Sequence, residues 1–286
     1  MKILVTGLSG FTGRHLISLL NHEGWIVVPL VRRHCGYQNE IIWDFSSDLP
    51  GDLPACDAVV HLAADVHFGQ DLHCGQYRAN TVATAKLVAY SRVHQAFFIF
   101  ASSIAVHGQT EQINQESAIK TENHYALSKY LAEEIIQSFS THYAILRITG
   151  IYGLDGPTHL GLNRSISLAY HNGEAPKLAG GGTGKRNYIC VIDVARWIVC
   201  LIKENCSSPR DLQTILYLAD CYVLSIKDYL EAIVNCLIPG GQIARTEGPA
   251  GRDLVVDPSP APFKLTGFTE YLDTLKEKGP VGIFLK

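Results

Sequence analysis

Three glycines, Gly7, Gly10 and Gly13, stand between a short apolar run and an amphipathic one, and this junction restricts the possible folds more than any other segment. Lys2-Ile3-Leu4-Val5 reads as a buried strand. Beyond Phe11, the apolar residues Leu16, Ile17, Leu19 and Leu20 mark one side of a helix that stops near Gly24. A chain passing from strand to helix through Thr6-Gly7-Leu8-Ser9-Gly10-Phe11-Thr12-Gly13 has a reason for each glycine. Gly7 permits the tight turn, Gly10 lets backbone N–H groups approach a pyrophosphate, and Gly13 lets the helix pack closely on the sheet. The segment therefore predicts a dinucleotide site at Gly7, Gly10, Phe11, Thr12 and Gly13.

Strand and helix go on alternating. Apolar runs at Ile26–Val31, Ile41–Trp43, Ala58–Leu62, Phe97–Phe100 and Tyr143–Leu146 predict five more strands, with helices around 77–93 and through Tyr125 and Lys129. Uniformly apolar strands separated by amphipathic helices predict an α/β fold, a doubly wound parallel sheet covered on both faces. Ligands of such sheets bind at the carboxyl ends of the strands, where Leu62-Ala63-Ala64 and Ser102-Ser103 also fall. Beyond residue 150 the pattern loosens into glycine-rich segments, Gly153–Pro157 and Gly180–Gly184. The chain is accordingly divided into a cofactor domain, 1–150, completed by about 188–218 with a returning strand at Ile215–Leu218, and a substrate lobe, 151–187 and 219–286. One helix, about 225–237, and the proline-rich stretch Asp257–Pro262 are expected in the last part.

Composition narrows the function. A chain of 286 residues can bury a sizeable core, and a formal charge of −3 without a basic run argues against nucleic acid or an anionic membrane surface as a partner. No apolar run approaches the roughly 18 residues of a membrane span. The first strand starts at residue 2 and leaves no room for a signal peptide, so a cytoplasmic location is expected. The eight cysteines form no CxxC pair and read as reduced packing residues. The twelve histidines show no metal-ligand spacing, and no metal is expected.

Tyr125 and Lys129 lie four residues apart in Tyr125-Ala126-Leu127-Ser128-Lys129, which puts phenol and ammonium on one helix face. Such a pair arises by chance in roughly half of chains of this composition, so its weight comes from sharing a chain with the glycine turn. A phenol titrates near 10, and bringing it to roughly 7 takes about 4 kcal/mol. One ammonium at about 4 Å and an effective dielectric near 20 supplies about that much. A serine hydroxyl would complete the set, orienting a substrate oxygen while the tyrosine moves a proton. At the end of the second strand, Arg32 and Arg33 occupy the place where a carboxylate would bind the ribose of NAD; two cations there favour NADP. Asp44 is a candidate for the adenine amino group.

Taken together, Thr6-Gly7-x-x-Gly10-Phe11-x-Gly13, His61-Leu62-Ala63-Ala64, Asn80, Ser102-Ser103, Tyr125-x-x-x-Lys129, Arg147 with Tyr152-Gly153, Arg186-Asn187-Tyr188-Ile189 and Asp193-Val194-Ala195 resemble the extended short-chain dehydrogenases/reductases. That group contains nucleotide-sugar epimerases, dehydratases and 4-ketosugar reductases. The resemblance implies Tyr125 as acid/base, Lys129 lowering its pKa and holding the nicotinamide ribose, and Ser103 hydrogen-bonding the reacting oxygen. It further implies cofactor contacts at Phe45, Leu62, Ala63, Ala64 and Ile148, substrate diphosphate contacts at Arg186 and Arg252, and a homodimer. Ile104 and Ala105 replace the acidic pair of the 4,6-dehydratases, which argues against dehydration. Gly150 replaces an asparagine common near the substrate phosphates, and His107 replaces a tyrosine. With Arg32 and Arg33 favouring NADPH, which suits net reduction, the expected function is an NADPH-dependent reductase of a 4-keto nucleotide sugar. Its alternatives are an NAD-dependent C4 epimerase, a reductase of a small carbonyl compound, or a binder of NADP(H) without turnover.

Overall fold

The computed structural model describes residues 1–67, 71–206, 211–249 and 251–282. The chain forms two units: residues 1–109, 118–148 and 195–216, and residues 110–117, 149–194 and 217–286.

The first unit is built on strands β1 (Lys2–Thr6), β2 (Ile26–Val31), β3 (Ile41–Ile42), β4 (Ala58–His61), β5 (Phe97–Ser103), β6 (Tyr143–Ile148) and β7 (Gln213–Leu218). They form a seven-stranded sheet in the order β7-β6-β5-β4-β1-β2-β3. The pairings are parallel, as the uniform apolar character of the strands predicts; Val5 lies between Pro29 and Val60, and Ser103 lies beside Ile148. Pro29 is tolerated in β2 because β3 joins only one residue later, at Leu30. Helices α1 (Phe11–His22), α2 (Ala83–His94) and α3 (His124–Phe139) cover the sheet. Leu4, Val59, Phe98 and Ile145 from the strands and Leu87, Ala132 and Ile136 from the helices share one core.

The helix expected around 77–93 is three segments. A short helix, Cys74–Tyr77, runs through a π-helical stretch, Arg78–Val82, into α2. Such stretches gather at functional sites. Here it brings Asn80 to the loop after β4: Asn80 accepts from Asp65 N (2.8 Å), donates to Asp65 O (2.9 Å) and donates to Ser128 Oγ on α3 (3.0 Å).

The second unit has short strand pairs, among them Lys177–Ala179 with Ala244–Thr246 and Ile151–Tyr152 with Ile189–Cys190. Its helices are α4 (Gly161–Asn172), the start of α5 (Val191–Cys206), α6 (Ile226–Leu237) and α7 (Phe268–Gly282, interrupted at Gly279). Helices α4 and α7 are absent from the sequence expectation. The inward stripe of α4 is thin, Leu162, Ile166 and Ala169, so it reads as polar; α7 carries Phe268, Tyr271, Leu272 and Leu275 at helical spacing. Tyr152 packs edge-on against Phe268 and Tyr271 in this unit's core. Among the described residues, no helix is long and apolar enough to cross a membrane.

Candidate active site

The glycine turn is fixed by backbone sterics. Gly7 has φ +77°, and a Cβ there would lie 2.6 Å from Ala63 N; at Gly13 it would lie 2.3 Å from Gly7 O. At Gly10 it would meet only Gly7 O, at 3.1 Å, so the space over the turn is open to a ligand. Gly10 caps α1 without any side-chain hydrogen bond, and its N–H donates to Gly7 O (3.0 Å). The first-turn N–H groups of Phe11, Thr12 and Gly13, with the positive end of the helix dipole, form an anion cradle that fits a pyrophosphate. Thr6, just before the turn, ties it to the segment after β4. Its Oγ1 accepts from Ala63 N (3.2 Å) and bonds His61 Nδ1 (2.7 Å), setting Leu62 and Ala63 against Gly7. Burial, and then the charge of Lys129, push His61 down to about 3, so it is neutral.

At the end of β2, Val31 is buried while Arg32 and Arg33 are exposed. Among the described residues, no carboxylate pairs with either guanidinium. Glu40, the nearby acid of this loop, is committed locally: its carboxylate bonds His34 Nδ1 (2.9 Å) and accepts from the N–H groups of Cys35 and Tyr37 (3.1 Å each). Asp44 is exposed and accepts from Ser46 N and Oγ, closing a turn. Phe45 adopts φ 70° and buries its ring edge-on to Trp43. Its side chain is therefore a core group, and only its backbone faces the turn formed by Asp44.

Helix α3 begins at Asn123, whose Oδ1 accepts from Ala126 N (2.8 Å) and so sets Tyr125 and Lys129 on their turn. The helix and the end of β5 meet residue by residue. Tyr125 hydrogen-bonds the Ser103 side chain. Lys129, only 1% exposed, donates from Nζ to Ala101 O (2.7 Å) and lies 4.6 Å from the centre of the Phe100 ring. Ser102 Oγ donates to Glu133 Oε1 in a very short bond. Ser102 is thus committed to the interior, and Ser103, whose Oγ also accepts from Ala105 N (3.2 Å), is the serine that faces the phenol. Ile148 lies beside Ser103 in register but is buried.

Burial acts on Tyr125 and Lys129 more strongly than they act on each other. Burial pushes the phenol up to about 12, opposed only by the Ser103 hydrogen bond. The ammonium is turned toward a carbonyl and a ring face, and burial brings it down to about 7 against the pull of Glu133. In this state Tyr125 is a proton donor at neutral pH.

Sequence reasoning missed Glu133 altogether and gave Arg147 and His107 no role. Arg147 grips the fully buried Glu133 with Nε (3.2 Å) and Nη2 (2.7 Å) to Oε2. Its Nη1 points at His107 Nε2 (3.2 Å), so that nitrogen accepts and Nδ1 donates to Ala118 O (3.0 Å). The signal was present in the sequence as an acid four residues after Lys129, on the same helix face.

In the second unit, Arg186 Nη1 donates to Lys185 O (2.8 Å) and, in a very short bond, to Arg252 O. Arg252 Nε lies 3.6 Å from Glu111 Oε1. The two arginines expected to meet a diphosphate are therefore neighbours. The rest of Arg186-Asn187-Tyr188-Ile189 is structural: Asn187 is buried and bonds Asp220 O (2.9 Å) and both backbone polar groups of Val256 (2.7 and 2.9 Å). Gly150 has a steric cause, since a Cβ there would lie 2.4 Å from the Tyr188 ring.

Three comparisons place this geometry among known proteins. A family model, the NAD dependent epimerase/dehydratase family, matches residues 3–213. An uncharacterised UDP-glucose epimerase of Bacillus subtilis is 26% identical over 231 residues, 71% of this chain and 72% of that protein. GDP-6-deoxy-D-mannose reductase of Pseudomonas aeruginosa is 30% identical over 144 residues, 47% of this chain and 45% of that one. Among solved structures, MoeE5 in complex with UDP-glucose and NAD is 25% identical with a TM-score of 0.79, covering 95% of this chain and 96% of its own.

Proposed function

The chain belongs to the NAD dependent epimerase/dehydratase family, and we propose that within it this protein is an NADPH-dependent reductase of a nucleotide-linked 4-ketosugar. The observation that carries the choice is the end of β2, where two exposed guanidiniums, without a carboxylate partner among the described residues, stand where the adenosine ribose of a dinucleotide lies in sheets of this topology. An arginine fork suits a 2′-phosphate, and the absence of an acid there removes the usual partner of a free 2′-hydroxyl.

The chemistry a bound dinucleotide supplies is hydride transfer at a sugar carbon. This chain's own residues do the rest. The first turn of α1 holds the pyrophosphate, Arg32 and Arg33 the ribose phosphate, and Lys129 the other ribose. Ser103 and Tyr125, already hydrogen-bonded to each other, hold the carbonyl oxygen, and the protonated phenol donates the proton that turns it into a hydroxyl. Arg186 and Arg252 bind the diphosphate of the sugar nucleotide. Leu131 and Phe139, exposed at helical spacing on α3, offer apolar surface for a homodimer.

A second reading, an NAD-dependent C4 epimerase, is favoured by the relatives, among them a UDP-glucose epimerase and MoeE5 in complex with UDP-glucose and NAD. Steady-state kinetics separate the two. The reductase consumes NADPH stoichiometrically with a 4-ketosugar nucleotide, and Arg32→Ala with Arg33→Ala raises KM for NADPH by about 10-fold or more while leaving NADH unaffected. Tightly retained NAD with redox-neutral turnover of a UDP-sugar would replace this reading with the epimerase.

A further inference from the structure

Helix α3 presents Tyr125, Lys129 and Glu133 at successive turns, and each is fastened to one of the last three residues of β5: Ser103, Ala101 and Ser102 respectively. The first two members belong to the site described above, but the third has no role in it. Glu133 is fully buried, it cannot reach solvent, and it is held by a forked guanidinium and a serine hydroxyl. Since arginine does not lose its proton, the partner in such a fork is a carboxylate. A carboxylate one turn from an ammonium, both of them buried, acts on it strongly.

We propose that Glu133 is a positioning residue for the reaction: its buried carboxylate, locked by Arg147, keeps the Lys129 side chain charged beside Ala101, so that the ribose of the cofactor meets an ammonium rather than an amine. This rests on the reading of Lys129 as a cofactor ligand. Among the titratable groups of the described residues packed around Lys129, Glu133 is the one that favours its charge, beside the Ala101 carbonyl and the Phe100 ring face. On β4, His61 is neutral and its surroundings disfavour a second cation. On β6, Arg147 is itself a cation, and on the 104–107 turn His107 accepts from that cation and is neutral. On α3, Tyr125 is protonated, and Tyr130 lies near both Glu133 and Arg147 without charge of its own at neutral pH. Burial drives the Lys129 ammonium down to about 7, and Glu133 opposes that fall.

Calorimetric titration of NADP and of NAD into the full-length protein between pH 5.5 and 9.5 tests the proposal. Wild type is expected to lose affinity on the alkaline side as Lys129 gives up its proton. In Glu133→Gln that alkaline limb moves about 1 pH unit or more toward acid, while the Kd at the acid end stays within about 3-fold. Glu133→Asp recovers part of the shift. Removing both charges with Glu133→Gln and Arg147→Met leaves no orphaned guanidinium in the core, so this variant is the one to read if the single substitution fails to fold. Its limb shifts in the same direction by a smaller amount, because a repulsion on Lys129 is removed as well. A folded variant lacking Glu133 whose limb coincides with wild type overturns the proposal. Lys129→Met tells the two failures apart. If it keeps the wild-type limb, the limb does not belong to Lys129 and the reading of the site falls; if it abolishes a limb that the Glu133 variants leave in place, only the role of Glu133 falls.

Discussion

The glycine turn and the Tyr125–Lys129 end of α3 lie in the same unit, yet they are finished to different degrees. The turn is fixed by its own backbone: atoms within 2.3–2.6 Å of the missing Cβ positions of Gly13 and Gly7 leave it one conformation. The Tyr125–Lys129 end is electrostatically unfinished, its phenol up at about 12 and its ammonium down at about 7, each turned toward a protein partner. Backbone sterics alone can preform an anion cradle. At the other end burial disfavours charge on both side chains.

The largest test of that contrast is Tyr125→Phe. It deletes one O–H from the unfinished end and nothing from the turn. Turnover is expected to fall by about 10²- to 10⁴-fold, with the dissociation constant of the cofactor nearly unchanged by calorimetry. A comparable loss of cofactor affinity would mean that the two ends are not separable.

Next comes the stability of the protein without cofactor as a function of pH. Lys129 titrates near 7 in the folded chain against an ordinary 10.5, so between those values the unfolded chain holds a proton that the folded chain has released. Stability contributed by this group is therefore full above about 10.5 and is lost as pH falls through 7, a swing on the order of 5 kcal/mol. Tyr125 works in the opposite sense, its contribution being lost as pH rises from 10 through about 12. Chemical denaturation between pH 6 and 9.5 should show wild type gaining stability with pH and Lys129→Met nearly flat across the same range. Parallel curves would show that Lys129 is not held in the disfavoured charged state.

Gly13→Ala attacks the finished end. A methyl 2.3 Å from Gly7 O has only backbone to displace, and a loss of about 3 kcal/mol is expected by denaturation. Gly10→Ala is the control. Its methyl meets one atom at 3.1 Å, so stability should change little, while cofactor affinity drops because the approach to the N–H groups is blocked.

The same contrast explains what could be read from the sequence. Gly7, Gly10 and Gly13 were legible because a turn imposed by backbone sterics must be written in consecutive residues, and the parallel sheet because buried strands are uniformly apolar. Glu133, Arg147 and His107 were not, since their meaning arises only when α3, β6 and the 104–107 turn come together across long sequence separations. Lys129 was read with the right spacing, since helical periodicity puts it on the face of Tyr125, but its bond to the carbonyl of Ala101 was illegible, because that carbonyl belongs to a strand far away in sequence. In the second unit, the polar outer face of α4 concealed a stripe of only three buried apolar residues, Leu162, Ile166 and Ala169.

Gly150 supplies the smallest effect and the sharpest control. Like Gly7 and Gly13 it has no room for a Cβ, but the obstacle is the Tyr188 ring at 2.4 Å rather than backbone. A ring can be replaced, and a backbone carbonyl cannot. Gly150→Asn, the residue common in the wider family, should cost about 1–3 kcal/mol by overpacking. Adding Tyr188→Ala removes the obstacle, and the double variant should then cost less than the sum of the two single ones, a coupling of about 1 kcal/mol or more in a double-mutant cycle. No second substitution should rescue Gly13→Ala in that way. If the Gly150 and Tyr188 effects instead add without coupling, the collision with the ring is not what excludes asparagine, and the distinction between glycines fixed by backbone and glycines fixed by a neighbour loses its support.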